Sequence, residues 1–156
     1  MVKYSNNAAP YDNFHSPLNK EFYDGKQYSD LNTSRNEIRL LEVLPAGDDG
    51  LLQCNLVTGC FLAPGSVPLE YEAISYCAGD PGNTNPIKVN NITFNVFANL
   101  ECGLRCIVQQ REENKTTDCV PLLWVDQICI NQSNHDERSD QVSQMCEIFS
   151  QANRIY

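Results

Sequence analysis

The sequence predicts an α/β domain: a parallel sheet with flanking helices, preceded by β-hairpins. Three observations carry that prediction. From Tyr71 the apolar pattern runs strand, hairpin, helix, buried strand, helix and strand start, an order that implies parallel pairing through crossovers. The run 121–128 is bulky and almost continuously apolar, as a strand covered on both faces should be. Hydrophobic residues make up 42% of the 156 positions against 20% charged, enough for one packed core.

Residues 1–35 are polar, rich in Asn and without an apolar period, and are expected to form a flexible leader ahead of a domain spanning 36–156. Ile38 to Leu44 reads as a strand stopped by the turn formers 45–50, and Leu51 to Val57 as its hairpin partner. A strand follows at 71–76, entering the turn Gly79-Asp80-Pro81-Gly82. Asn90 and Asn91 tolerate the positive φ of a two-residue hairpin turn, which joins strands at 87–89 and 92–96. Asn99 is then a candidate cap for a helix ending near Arg111, with Leu100, Gly103, Leu104, Ile107 and Val108 on one stripe. The buried strand is placed at 122–128. Ser133 and Asp136 have a loose capping-box spacing before a helix to residue 152, whose core stripe is assigned to Val142, Met145, Phe149 and Ala152 with Arg138, Asp140 and Gln144 outside. Arg154-Ile155-Tyr156 begins another strand.

Several function classes fall away on composition. A net charge of −9 without a Lys or Arg run argues against nucleic acid as a partner. No apolar stretch is long enough to span a bilayer, and no secretory signal is read at the start, so a cytoplasmic, reducing location is expected. The eight cysteines contain no C-x-x-C pair and the two histidines, His15 and His135, stand apart, so no metal site is expected. Most thiols are read as free and buried, which leaves a secreted, disulfide-stapled effector as the weakest alternative. Asn-x-Ser/Thr matches at Asn32, Asn91, Asn114 and Asn131 are then chance products of an Asn-rich chain.

The sequence holds no G-x-S-x-G, P-loop, G-x-G-x-x-G or H-E-x-x-H. What remains is polar text directly after strands, where open α/β sheets bind ligands. Ser75, Tyr76, Gly79 and Asp80 follow one strand; Asp126 with Gln127, Asn131 and Gln132 follow the other, with Arg138 at the next helix start. Together they make a candidate ligand crevice. The same side chains are equally suited to tying their own loops, and Glu137-Arg138 to being solvated charge. Cys129 and His135 are the residue types of a nucleophilic pair, but nothing in the spacing orients the two, and a core thiol is the expected state of Cys129.

These blocks resemble the heterokaryon-incompatibility (HET) domain of filamentous fungi. Tyr71-Glu72-Ala73-Ile74-Ser75-Tyr76-Cys77-Ala78-Gly79-Asp80 is similar to the family's first block, Y-E-A-L-S-Y-x-W-G-D, with Ala78 in place of its Trp. Asn99-Leu100-Glu101-Cys102-Gly103-Leu104 resembles its helix start. Leu123-Trp124-Val125-Asp126-Gln127-Ile128-Cys129-Ile130-Asn131-Gln132, then Glu137-Arg138, Gln141-Val142, Met145 and Ile148-Phe149, resembles its strongest block. The resemblance covers about residues 37–156 and implies the N-terminal part of such a domain, with a flavodoxin/TIR-like parallel sheet incomplete at its C-terminus. It also implies a cytoplasmic signalling module that promotes programmed cell death when unlike fungal cells fuse, through protein partners or self-association. The family is distantly similar to Toll/interleukin-receptor (TIR) type domains, some of which cleave NAD. An NAD-cleaving hydrolase with an incomplete site is therefore the alternative, NAD being substrate and no cofactor being expected. The catalytic glutamate of TIR-type domains lies after the third strand, and neither Glu72 nor Glu137 matches it, so this chain alone is not expected to be an enzyme.

Overall fold

A computed structural model describes residues 19–60, 69–114 and 122–156. Among these residues seven strands, β1 (Glu37–Leu44), β2 (Gln53–Cys60), β3 (Tyr71–Ala73), β4 (Thr84–Val89), β5 (Ile92–Phe97), β6 (Leu122–Trp124) and β7 (Arg154–Ile155), form one sheet in the order β5-β4-β2-β1-β6-β3-β7. Strands β1 and β2 make the expected antiparallel hairpin, in register from Glu37 opposite Cys60 to Leu44 opposite Gln53. Strands β4 and β5 make the second, turning on Asn90 (φ 52°) and Asn91 (φ 66°). Strand β3 lies between β6 and β7, parallel to both. The parallel expectation holds there, and β2 also runs parallel to β4. The sheet as a whole is mixed, because β1 pairs antiparallel with both β2 and β6.

Helices cover both faces. Tyr71 of β3 and Trp124 of β6, two register positions apart and so on one face, reach helix α4 (His135–Gln151): the Tyr71 hydroxyl donates to the Ile148 carbonyl at 2.5 Å, and the Trp124 ring meets Phe149 edge-on at 5.3 Å. The neighbouring Glu72 points the other way and pairs with Arg111 of α2 (Ala98–Asn114). Side chains alternate along a strand, so the two helices lie on opposite faces. Leu100, Leu104 and Ile107 bury the α2 stripe as expected, together with Ile87, Val89, Phe94 and Val96 of the hairpin.

The structure corrects several sequence expectations. The apolar run at 122–128 is strand only to Trp124; Asp126–Cys129 is a short helix, α3. The strand expected at 71–76 keeps strand pairing only to Ala73. Helix α2 runs to Asn114, and Asn99 lies inside it, where its amide donates to the Cys77 carbonyl at 2.9 Å instead of capping. Asn134 rather than Ser133 caps α4, its side chain accepting from the N–H groups of Asp136 and Glu137. Helix α4 is also rotated from the expected stripe: Gln141 and Ile148 are buried, Met145 and Phe149 are half-buried, and Val142 is 53% exposed. The Gln141 amide donates to the Glu37 carbonyl, and that polar tie outranks burial of one Val. Of the seven described cysteines only Cys54 and Cys129 are buried, whereas Cys77, Cys102, Cys106 and Cys146 are exposed, contrary to the expected buried thiols.

Residues 1–18 of the expected leader lie outside the described residues. From Asn19 the stretch packs on the sheet: helix α1 (Lys20–Asp24) places Phe22, with no exposed surface, against Phe94. Among the described residues no helix is long and apolar enough to cross a membrane.

Candidate functional site

The ends of β3 and β6 lie side by side, because Ala73 pairs with Trp124 in parallel register. Tyr76 and Gln127 join the segments that follow them. The half-buried Tyr76 hydroxyl donates to Gln127 Oε1 at 3.2 Å, and the same oxygen accepts the Phe97 N–H at 3.2 Å. Burial and the nearby Asp126 carboxylate push the Tyr76 hydroxyl well above the ordinary tyrosine range. Asp126 opens α3, its Oδ1 accepting the Gln127 N–H at 2.7 Å. Desolvation holds its carboxyl above the usual carboxylate value, against the lowering effect of its backbone bonds. The Gln132 amide donates to the Asp126 carbonyl at 2.9 Å and closes this loop on itself.

The second half of the loop is held by a residue that sequence reading passed over. Arg39, 1% exposed on β1, forms a forked pair with Glu137 at 2.5 and 3.0 Å, donates to the Cys129 carbonyl at 3.3 Å and to that of Ser29, and lies over the Tyr28 ring. Glu137 Oε1 also accepts the Asn131 N–H at 2.8 Å. The reading of Glu137 as solvated charge is thus overturned. Its carboxylate neutralises a buried guanidinium and fixes the backbone at Asn131. The signal was present in Ile38-Arg39-Leu40-Leu41, where a lone cation stands among apolar residues on a core strand. Asn131 Oδ1 accepts from Ser133, N–H and hydroxyl, and Arg138 meets His135 Nδ1 at 3.0 Å at the helix start. Cys129 is fully buried, its thiol pushed up to about 12 by burial and bonded to Val125 and Leu123, with His135 exposed elsewhere.

Ser75 and Tyr76 also line a mostly apolar cleft of about 240 Å³, beside Ile74, Ile107 and Tyr156. Asp126 and Gln132 are not among its lining residues, and Tyr76 links the cleft to the Asp126 loop through Gln127. Gly79 and Asp80 sit further out and exposed. Gly79 takes φ +77°, and Asp80 Oδ1 accepts the Gly82 N–H at 2.8 Å in a local turn. The structure therefore brings Tyr76, Asp126 and Gln132 together around Gln127, and leaves Gly79-Asp80 and Arg138 at separate margins.

The residues at these strand ends fall within a known family. The profile of the family described as Heterokaryon incompatibility protein (HET) matches residues 71–156. The chain is 38% identical over 145 residues to Heterokaryon incompatibility protein 6, OR allele, of Neurospora crassa, a match covering 85% of this chain and 20% of that relative. No solved structure matches the chain. The profile spans more than half of the chain and includes β3, β6 and the Arg39-bound loop through Glu137, and the chain belongs to the heterokaryon incompatibility (HET) family.

Proposed function

We propose that this chain is a cytoplasmic interaction module of fungal heterokaryon incompatibility, which promotes programmed death of fused, unlike cells through protein contacts, including self-association. One observation carries the preference for contact over catalysis: the signature side chains are spent on internal bonds. Glu137 serves Arg39 and Asn131, Gln127 serves Tyr76 and Phe97, and Gln132 serves the Asp126 carbonyl. A reaction centre needs donors and acceptors aimed at a substrate. The alternative, a TIR-like NAD-cleaving hydrolase on a flavodoxin-like sheet, draws its support from the parallel unit β6-β3-β7 and from Asp126, a carboxyl raised by burial beside Tyr76.

Induced expression of the chain in a filamentous fungus tests the choice, with viability and cellular NAD followed together. Death with NAD unchanged until viability falls is expected. Unimpaired growth overturns the death-promoting reading. NAD loss that precedes death and disappears in Asp126→Asn replaces it with the hydrolase.

A further inference from the structure

An edge strand presents unpaired N–H and C=O groups to any strand that reaches it, and proteins blunt such edges with charge, proline or a covering segment. Strand β5 is the outer strand at one end of the sheet, and its six residues, Ile92 to Phe97, include neither charge nor proline. Outward groups at Asn95 and Phe97 are occupied by side-chain amides instead. Asn19 imitates a paired strand: its Nδ2 donates to the Asn95 carbonyl at 3.0 Å and its Oδ1 accepts the Asn95 N–H at 2.7 Å. Gln127 covers the Phe97 N–H. Alternate residues of an antiparallel strand turn their backbone groups to the same side, so Thr93, which is exposed, belongs to this outward set.

The two covers differ in how they are held. Both side chains are buried, Asn19 at 4% and Gln127 at 5% exposed, but Gln127 belongs to α3. Asn19 arrives on a strap that touches the sheet through Phe22 on Phe94 and returns through Tyr28, whose hydroxyl donates to the Ile128 carbonyl at 2.9 Å. The two contacts are separated by the exposed Gly25-Lys26, with Lys26 at φ 55°.

We propose that residues 19–24 are a displaceable guard of the β5 edge, hinged at Gly25-Lys26 while Tyr28 and Ser29 stay tied to Ile128 and Arg39, and that the lifted guard exposes the edge to antiparallel pairing with β5 of a second copy of this chain. The geometry favours a second copy because the edge is self-complementary. A two-fold axis at Asn95 lets each Asn95 give and take the two bonds now made to Asn19, while the Phe97 N–H stays on Gln127. Although the chain carries −9 overall, the paired strands bring no charge together. This surface deepens the self-association part of the proposed function and rests on it only for its biological meaning.

The test compares wild type, Asn19→Ala, and Asn19→Ala with Phe22→Ala by sedimentation velocity, with amide exchange read at Thr93 and Asn95. The double variant is expected to dimerise at least tenfold more tightly than wild type. Asn19→Ala, which keeps the Phe22 anchor, should shift the same way by less and exchange faster at Asn95. Adding Asn95→Pro should restore the monomer, because that N–H serves Asn19 and not β4, and proline is tolerated at such an edge position. A folded double variant that stays monomeric, a dimer that survives Asn95→Pro, or unchanged Asn95 exchange in Asn19→Ala overturns the proposal. A guard-lifted dimer without effect on fungal growth keeps this surface and overturns the functional reading instead.

Discussion

The loops that leave β3 and β6 begin side by side and carry similar polar text, yet their fates are opposite. After β6, the segment from Val125 to Glu137 is drawn into the protein by a buried guanidinium, and its backbone is held at Cys129 and Asn131. After β3, Cys77 to Gly82 is exposed, held by Asn99 on the Cys77 carbonyl and by the Asp80 turn. The difference teaches that polar residues at a strand end do not by themselves mark a site. A buried charge nearby recruits them first, because leaving it unpaired costs more than any surface bond returns.

The sharpest way to break that contrast is to remove the carboxylate. Glu137→Gln leaves Arg39, whose side chain is 2% exposed, with a buried positive charge and half its fork. A loss of about 3 to 5 kcal/mol is expected in urea unfolding. The paired replacement Arg39→Met with Glu137→Leu should recover most of it, since no charge is then buried. Equal losses in the single and paired variants would show that the hydrogen bonds to Cys129 and Asn131, and not the charge, hold the loop.

Local chemistry made part of this legible in advance. The Asn90-Asn91 turn, the β1–β2 hairpin and the α2 stripe follow from residue type and period, which act within a few positions. Contacts between residues far apart in the chain could not be read that way. Arg39 meets Glu137 across 98 residues, and Asn19 meets Asn95 across 76. The α4 stripe failed for the same reason, because the partner of Gln141 is a carbonyl of β1, invisible to helical periodicity. In the candidate site, the strand-end rule located Tyr76, Asp126 and Gln127, but not that Gln127 joins the two loops through Tyr76 and Phe97.

A smaller effect is expected in the β3 loop. Gly79 has φ +77°, and a Cβ there would stand 2.8 Å from Asn99 Nδ2, the movable end of a side chain. Gly79→Ala should therefore cost about 1 to 2 kcal/mol, mostly from the backbone conformation, with the Asn99 bond to Cys77 lost as well. A cost matching that of Glu137→Gln would mean that the outer loop is as firmly built as the inner one, and the contrast would fail.

The smallest effect concerns Asp126, and its sign is the informative part. Because burial raises its carboxyl above the ordinary value of 3.8, the folded protein binds this proton more tightly than the unfolded chain. Stability from this group is then greatest at low pH and falls as pH rises from the unfolded value through the raised folded one. Asp126→Asn keeps an oxygen for the Gln127 N–H and removes the charge that burial penalises. At neutral pH the variant should be slightly more stable than wild type, and the gap should close as pH drops below the unfolded value. Urea midpoints of both proteins at neutral and acid pH decide it, with the exposed Asp80→Asn as a control expected to move stability by less than about 0.5 kcal/mol. A variant that is less stable at neutral pH, with wild type losing that advantage on acidification, would mean that the α3 N–H groups favour the carboxylate more than burial opposes it. Asp126 would then belong with Glu137, as a charge the fold uses to hold its own loop.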